Sequence, residues 1–267
     1  MFNINHEIWA GTEQSLAAAR AAELMAVAKL KAGFSSEGVD VPSLLSVQGS
    51  VGMVSIQGPL FNSKMAEYFG LTTYAGIRRA MVAAANDPAV GQILLAVDSG
   101  GGAVSGVYDT AQLISAINAK VKPVTTFAGD IMASAAYWLG SAARKVYSGQ
   151  MSLVGSIGVI SAHIEYSKQM AADGVTATVL RAGKYKALAN PMEPLTEAAK
   201  AQIQAQLDAV YKVFVESVAA HRGVSFAEAD KMSQGREFFG QAALDAGLVD
   251  GITTLAAVVG GLQKVRP

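Results

Sequence analysis

Met132-Ala-Ser134-Ala-Ala-Tyr-Trp138 sets a serine just after an apolar strand and a Gly-Asp turn, at the start of a small-residue helix. The N–H groups of a helix's first turn carry partial positive charge, and an oxyanion forming beside them is stabilised. A serine there can also be a plain N-cap. Nucleophilic chemistry needs a base, and neither G-x-S-x-G nor S-x-x-K occurs in the chain. The base has to arrive from elsewhere in the fold. Arg181-Ala-Gly-Lys-Tyr-Lys186-Ala offers two lysines. Lys184 reads as a solvated charge, whereas Lys186 precedes Ala-Leu-Ala and has the more apolar surroundings. Burial disfavours an ammonium and lowers a lysine pKa by up to roughly 3–5 units, which a lysine base requires.

Two glycine-bearing segments could complete such a site. Asp98-Ser-Gly-Gly-Gly102 follows an apolar strand and precedes a helix, and its glycines leave backbone N–H groups uncovered. It reads as a tight strand-to-helix turn, as half of an oxyanion hole, or as a dinucleotide fingerprint. The last is weakened by Ser105, which stands where the third glycine belongs. Gly155-Ser-Ile-Gly-Val159 is compact and apolar apart from Ser156.

Composition removes several function classes. The 267 residues carry 21 basic and 21 acidic side chains and no basic run, which disfavours nucleic acid as a partner. The absence of cysteine excludes disulfides, thiolate metal sites and a cysteine nucleophile. The three histidines, His6, His163 and His221, form no H-E-x-x-H pattern, so no metal site is expected. Met1 to Trp9 lacks a basic n-region and does not read as a secretory signal. Val124–Ala143 is the most apolar long window, but Asp130 interrupts it, and it reads as a buried strand followed by a buried helix. The expectation is a soluble, cytoplasmic chain without a membrane anchor.

The elements that must position these residues alternate. Residues 12–32 predict an alanine-rich helix, with Thr12 as N-cap and Gly33 as stop, followed by a loop from Ser35 to Ser46. Strands are expected at 52–57, 92–97, 123–128, near 146, 156–161 and 175–181. Helices are expected at 74–86, 103–119, 134–143, 165–173 and 196–221. Ile203, Leu207, Val210, Phe214 and Val218 give the last helix a core-facing stripe. The alternation predicts an α/β fold with a mainly parallel sheet covered by helices. Three regions follow: residues 1–50 as helix and linker, 51–255 as the catalytic domain, and 256–267 as a tail.

Taken together, these segments resemble the signal peptide peptidase A, or protease IV, family of Ser–Lys serine peptidases. The carrying residues are Ser99-Gly-Gly-Gly102, Ala133-Ser-Ala-Ala-Tyr137, Val154-Gly-Ser-Ile-Gly-Val159, Ala182-Gly-Lys-Tyr-Lys186 and Gly235-Arg-Glu-Phe-Phe-Gly240 with Ala243-Leu-Asp-Ala-Gly-Leu-Val-Asp250. They run in order from about residue 50 to 255. The resemblance implies Ser134 as nucleophile, Lys186 as base, and Ser156 as the hydroxyl that orients the lysine amine. It implies the N–H groups of Gly101 and Ala135 as the oxyanion hole, with Gly102, Gly158 and Val159 beside an extended peptide substrate. Two residues depart from the pattern: the family's proline is Gly100 here, and its glycines after the nucleophile are Ala135 and Ala136.

The resemblance also implies a crotonase or Clp-protease-like fold of repeated β-β-α units, no cofactor, and a homo-oligomeric ring with sites built across subunit contacts. The segment from Gly155 to Tyr166 looks more like the phage and prophage head-maturation branch, whose substrates are scaffold and capsid proteins, than the signal-peptide-degrading one. Rival readings are an acyl-CoA enzyme of the same fold, an inactive assembly protein and a nicotinamide dehydrogenase. His163 is the one credible histidine base.

Overall fold

Alternating side chains along the central strands give the sheet two apolar faces of unequal size. The computed structural model describes residues 8–35, 40–232 and 234–264; His6 and most of the Met1–Trp9 start lie outside them. In chain order, β1 (Trp9–Gly11) and α1 (Glu13–Lys31) precede β2 (Leu45–Gln48) and β3 (Val51–Gln57). Then come α2 (Lys64–Glu67), α3 (Tyr74–Asn86), β4 (Gln92–Ser99), β5 (Gly101–Ala103) and α4 (Val107–Lys120). The centre is β6 (Val124–Ala133), α5 (Ala135–Ser141), β7 (Lys145–Ser148) and β8 (Leu153–Gly155). The chain continues through α6 (Ser167–Ala172), α7 (Glu197–Arg222), α8 (Phe226–Met232), β9 (Glu237–Phe239), α9 (Gly240–Asp245), β10 (Gly251–Ile252) and α10 (Leu255–Lys264).

The main sheet runs β10-β7-β6-β4-β3-β2, parallel throughout except for β2, which closes one edge antiparallel to β3. β6 is long enough to serve two partners. Its first half pairs with β7, and residues Ile131–Ala133 pair with β8, which carries β9 antiparallel on its far side. Val54, Ile56, Ile93, Leu95 and Val97 point to the larger core, under α3, α4 and α5. Val51, Leu94 and Phe127 point the other way and are covered by Val258 of α10. The expected tail is therefore a helix that seals the second face of the sheet, at least through Lys264.

Every residue of α5 is buried. Alanines and Gly140 make this possible: a Cβ at Gly140 would lie 2.4 Å from Met132 Sδ. Trp138 stacks on Phe214 of α7, with ring centroids 4.3 Å apart and planes 6° from parallel. The end of α7 is pinned where Arg222 and the Val146 N–H both bond the Asp250 carboxylate, at 2.9 and 2.8 Å. Burial alone would raise that carboxyl's pKa, but these donors and their charge hold it below the ordinary aspartate value.

Four expectations need correcting. The helix expected at 103–119 starts at Val107, because Gly101–Ala103 is committed to an antiparallel pairing with β1. The segment 175–181 is not a strand, since no neighbouring strand offers it hydrogen bonds; 156–161 contributes a single bridge at Ile160. The stripe on α7 is covered only in its second half, where Phe214 and Val218 are buried while Ile203, Leu207 and Val210 are half-exposed.

His221, near the end of α7, meets Ser141 Oγ through Nδ1 at 3.0 Å, and burial lowers its pKa from 6.5 to about 4. A depressed folded-state value means that this stabilisation is complete above pH 6.5 and is lost as the pH falls towards 4. Thermal unfolding of the wild type should therefore shift downwards over that window, and His221→Gln should flatten the shift.

Candidate active site

The turn between β6 and α5 holds the candidate nucleophile. Ser134 has φ 54° and ψ −122°, a conformation that costs a non-glycine residue roughly 1–3 kcal/mol. Its neighbours over-determine it. The Ser134 N–H donates to the Gly155 carbonyl at 2.8 Å, and its carbonyl accepts the Trp138 N–H at 2.9 Å. The hydroxyl does not cap α5; it donates to the Gly158 carbonyl at 3.1 Å. The plain N-cap reading therefore fails here. Ala135, fully buried, is the first residue of α5, where helix geometry leaves the N–H without an intrahelical acceptor.

A second serine mirrors the first. Ala133 and Gly155 are register partners, so Ser134 and Ser156 leave adjacent parallel strands side by side, both with φ 54°. The Ser156 N–H donates to the Arg236 carbonyl at 2.7 Å, and its hydroxyl bonds the Glu237 carboxylate. Burial raises the Glu237 pKa above the ordinary glutamate value, an effect partly offset by the Ser156 bond. Sequence reasoning gave Glu237 no role. Its only signal was an acid inside the apolar Glu-Phe-Phe strand.

The glycine segment approaches from the other side. Gly101 has φ 95°, and its N–H donates to Ser99 Oγ at 3.2 Å. A Cβ on Gly101 would stand 2.3 Å from the Ala10 carbonyl oxygen and 3.0 Å from that of Ala133. Gly102 is equally confined, since a Cβ there would lie 2.1 Å from the Leu60 carbonyl oxygen. Gly158 and Val159 are half-exposed and line a cavity of about 610 Å³ that also touches Gly11, Leu207, Asp208 and Tyr211.

Ser134, Ser156, Gly101, Gly102, Ala135, Gly158 and Val159 thus converge, and Lys186 does not join them. It is exposed, contrary to the apolar surroundings expected for it. The physical reason is that residues 175–190 find no sheet partner among the described residues and stay largely exposed. Its N–H bonds the Gly183 carbonyl at 3.0 Å, and its amine makes no hydrogen bond or ion pair among the described residues. His163 is half-buried in the segment beyond Val159, and the Ser134 hydroxyl goes to Gly158 instead of to it. His221 sits at the opposite end of α5. Among the described residues no group of acids and histidines could hold a metal, and no helix is long and apolar enough to cross a membrane.

Peptidase family S49 matches residues 116–266. Capsid assembly protease C of Escherichia phage lambda is 34% identical over 206 residues, covering 76% of this chain and 46% of that protein. Head-tail preconnector protein GP5 of Enterobacteria phage P21 is 32% identical over 206 residues, covering 76% and 41%. Protease 4 of Haemophilus influenzae is 26% identical over 227 residues, covering 82% and 35%. The chain spans less than half the length of each of these three relatives. Among solved structures, an enoyl-CoA hydratase from Shewanella pealeana aligns with TM-score 0.46 and 13% identity, over 87% of this chain and 78% of that one.

The crowding at Gly101 gives a direct test of the site's build. Gly101→Ala adds a Cβ at positive φ against two carbonyl oxygens, and should cost roughly 1–3 kcal/mol in denaturant unfolding. It should also slow fluorophosphonate labelling of Ser134, while Gly33→Ala, with open space around it, should leave labelling unchanged.

Proposed function

The chain belongs to peptidase family S49, and on that premise we propose that it is a serine endopeptidase with Ser134 as nucleophile and Lys186 as general base. The observation that carries this reading is the strained turn at Ser134, whose hydroxyl is withheld from helix capping and lies among the two glycine segments. In the reaction, Ser134 Oγ attacks the scissile carbonyl carbon as the neutral Lys186 amine takes its proton. The Ala135 N–H and the Gly101 N–H, the latter turning from Ser99 Oγ, stabilise the oxyanion. The lysine returns the proton to the leaving amine, and water then hydrolyses the acyl-enzyme. Ser156, beside Ser134, orients the amine. No metal or cofactor takes part in this scheme.

Lys186 lies on an uncovered arm, so the working site is completed when copies of the chain assemble. Ile160, Ile164, Tyr166, Val175, Leu180, Tyr185 and Met192 give residues 160–192 an exposed apolar surface. A second copy of the chain is the partner that would cover it and bury Lys186, supplying the desolvation its single-chain setting lacks. The likeness to the phage lambda and P21 proteins supports substrates among the scaffold and capsid proteins of a phage head.

Three variants test the dyad. Ser134→Ala should lower hydrolysis of casein peptides by at least about a thousandfold with unfolding unchanged. Lys186→Met should lower kcat by roughly 10²–10⁴, and Lys186→Arg should fail with it, because a guanidinium keeps its proton near neutral pH. His163→Ala should retain most activity. A dead His163→Ala with an active Lys186→Met would replace the lysine by the histidine.

Light scattering tests assembly. The expected species is a multiple of the 27.6 kDa chain, and charged substitutions at Leu180 and Tyr185 should reduce it towards that mass together with the activity. A single 27.6 kDa species that hydrolyses peptide at full rate would remove the partner from the scheme.

A further inference from the structure

The groove beside the candidate nucleophile is filled by the chain itself. On one side β1 runs antiparallel to β5, with Trp9, Ala10 and Gly11 facing Ala103, Gly102 and Gly101. On the other, Trp9 and Ile160 exchange two backbone hydrogen bonds of 2.8 Å. Antiparallel geometry would place the next exchange between Gly11 and Gly158. The Gly158 carbonyl instead accepts the Ser134 hydroxyl at 3.1 Å. The ladder on that side therefore ends at the serine.

This short strand is seated as a ligand would be. Trp9 is 1% exposed and Ala10 0%, with the indole edge-on to Phe61 at a centroid distance of 6.3 Å. The indole of Trp9 lies over Gly11, where a Cβ would fall 2.1 Å from the ring nitrogen, so a bulky side chain in this pocket leaves room for no side chain two residues on. The segment is anchored on the turn that carries Gly101, one of the two proposed oxyanion donors. The Thr12 N–H donates to the Gly100 carbonyl at 2.8 Å, and Ser15 Oγ donates to the Gly101 carbonyl at 2.9 Å. Gly100 leaves room for this anchor, since a Cβ there would be 2.8 Å from Thr12 Oγ1. With β1 in place Ser134 is 0% exposed.

We propose that Trp9–Gly11 is an internal occupant of the substrate's strand position. An extended peptide with a bulky apolar residue followed by small ones displaces it to reach Ser134. Main-chain pairing with β5 and Ile160 supplies affinity, and the Trp9 pocket supplies selectivity. The proposal rests on the peptidase reading for what Ser134 then does, but not for the occupancy itself. Apparent peptide affinity is reduced by the fraction of molecules in which β1 holds the slot.

Binding to Ser134→Ala protein tests this without catalysis, using acetyl-Val-Phe-Ala-Gly-amide, which lacks tryptophan. Trp138 is buried in its stack on Phe214, so a saturable red shift of tryptophan emission on peptide addition reports Trp9 entering water. Trp9→Phe should abolish the shift. A second arm clamps the strand. Hydrogen-bonded antiparallel partners have Cα atoms about 5.5 Å apart, within disulfide reach, and the chain has no native cysteine. Trp9→Cys with Ile160→Cys should, when oxidised, bind the fluorescein-labelled peptide at least about tenfold more weakly than when reduced. Equal affinity in both redox states, binding without an emission shift, or no binding to the reduced protein overturns the proposal. Peptide hydrolysis by the wild type alongside any of these leaves the peptidase reading standing. Clamp-sensitive binding by a protein that hydrolyses nothing does the reverse.

Discussion

The reversal of the chain at Ser134 is the constraint on which the rest of the structure depends. A β-strand can pass directly into a buried helix only through a sharp turn, and here the turn falls on a residue with a side chain. Two hydrogen bonds from its own backbone and the complete burial of α5 hold it there. The requirement spreads outward. α5 must carry no side chain at Gly140, where it presses on Met132, β6 must be long enough to reach β8, and β8 must end in the matching turn at Ser156. The same helix meets α7 through the Trp138–Phe214 stack, so the second half of α7 is tied to the turn as well.

Chemical capacity is divided unevenly over this frame. The serine, both glycine segments and Ser156 belong to the sheet and its immediate connections, where the backbone fixes their positions. The lysine belongs to an arm whose backbone lies outside the sheets and whose apolar side chains are exposed among the described residues. Glu237 belongs to the frame. Its strand is anchored to β8, and its carboxyl already engages the hydroxyl that the resemblance assigns to the lysine amine. Assembly of a dyad therefore requires Ser156 to share or exchange an acceptor for a donor, which a hydroxyl can do by rotation.

Much of this was legible in the sequence, for a physical reason. The central strands and α3 and α7 carry apolar patterns that local chemistry alone can read, and Thr12 caps the helix it was expected to cap. The serine at a strand-to-helix junction was visible in the sequence. Gly129-Asp130, however, reads as a turn ending the strand at 128, whereas β6 runs through both to Ala133 because its far end pairs with β8. Non-local pairing was hidden. Nothing in Trp9-Ala-Gly distinguishes a strand that crosses to Gly101 from a loop, and residues 175–181 have strand-like composition without a neighbour to pair with. The α10 helix was read as a tail because its apolar side gains meaning only against Val51, Leu94 and Phe127.

The burial of the Ser134 turn has a consequence for how the molecule opens. The Ser134 amide proton is held by Gly155 at the junction of β6 and β8, under a helix with no exposed residue, so it exchanges with solvent only when the whole core opens. The amides of residues 175–182 lie outside any ladder and exchange through small local fluctuations. The two belong to different cooperative units. The arm that carries Lys186 can fluctuate many times within the lifetime of one folded core, while Ser134 keeps its strained geometry throughout.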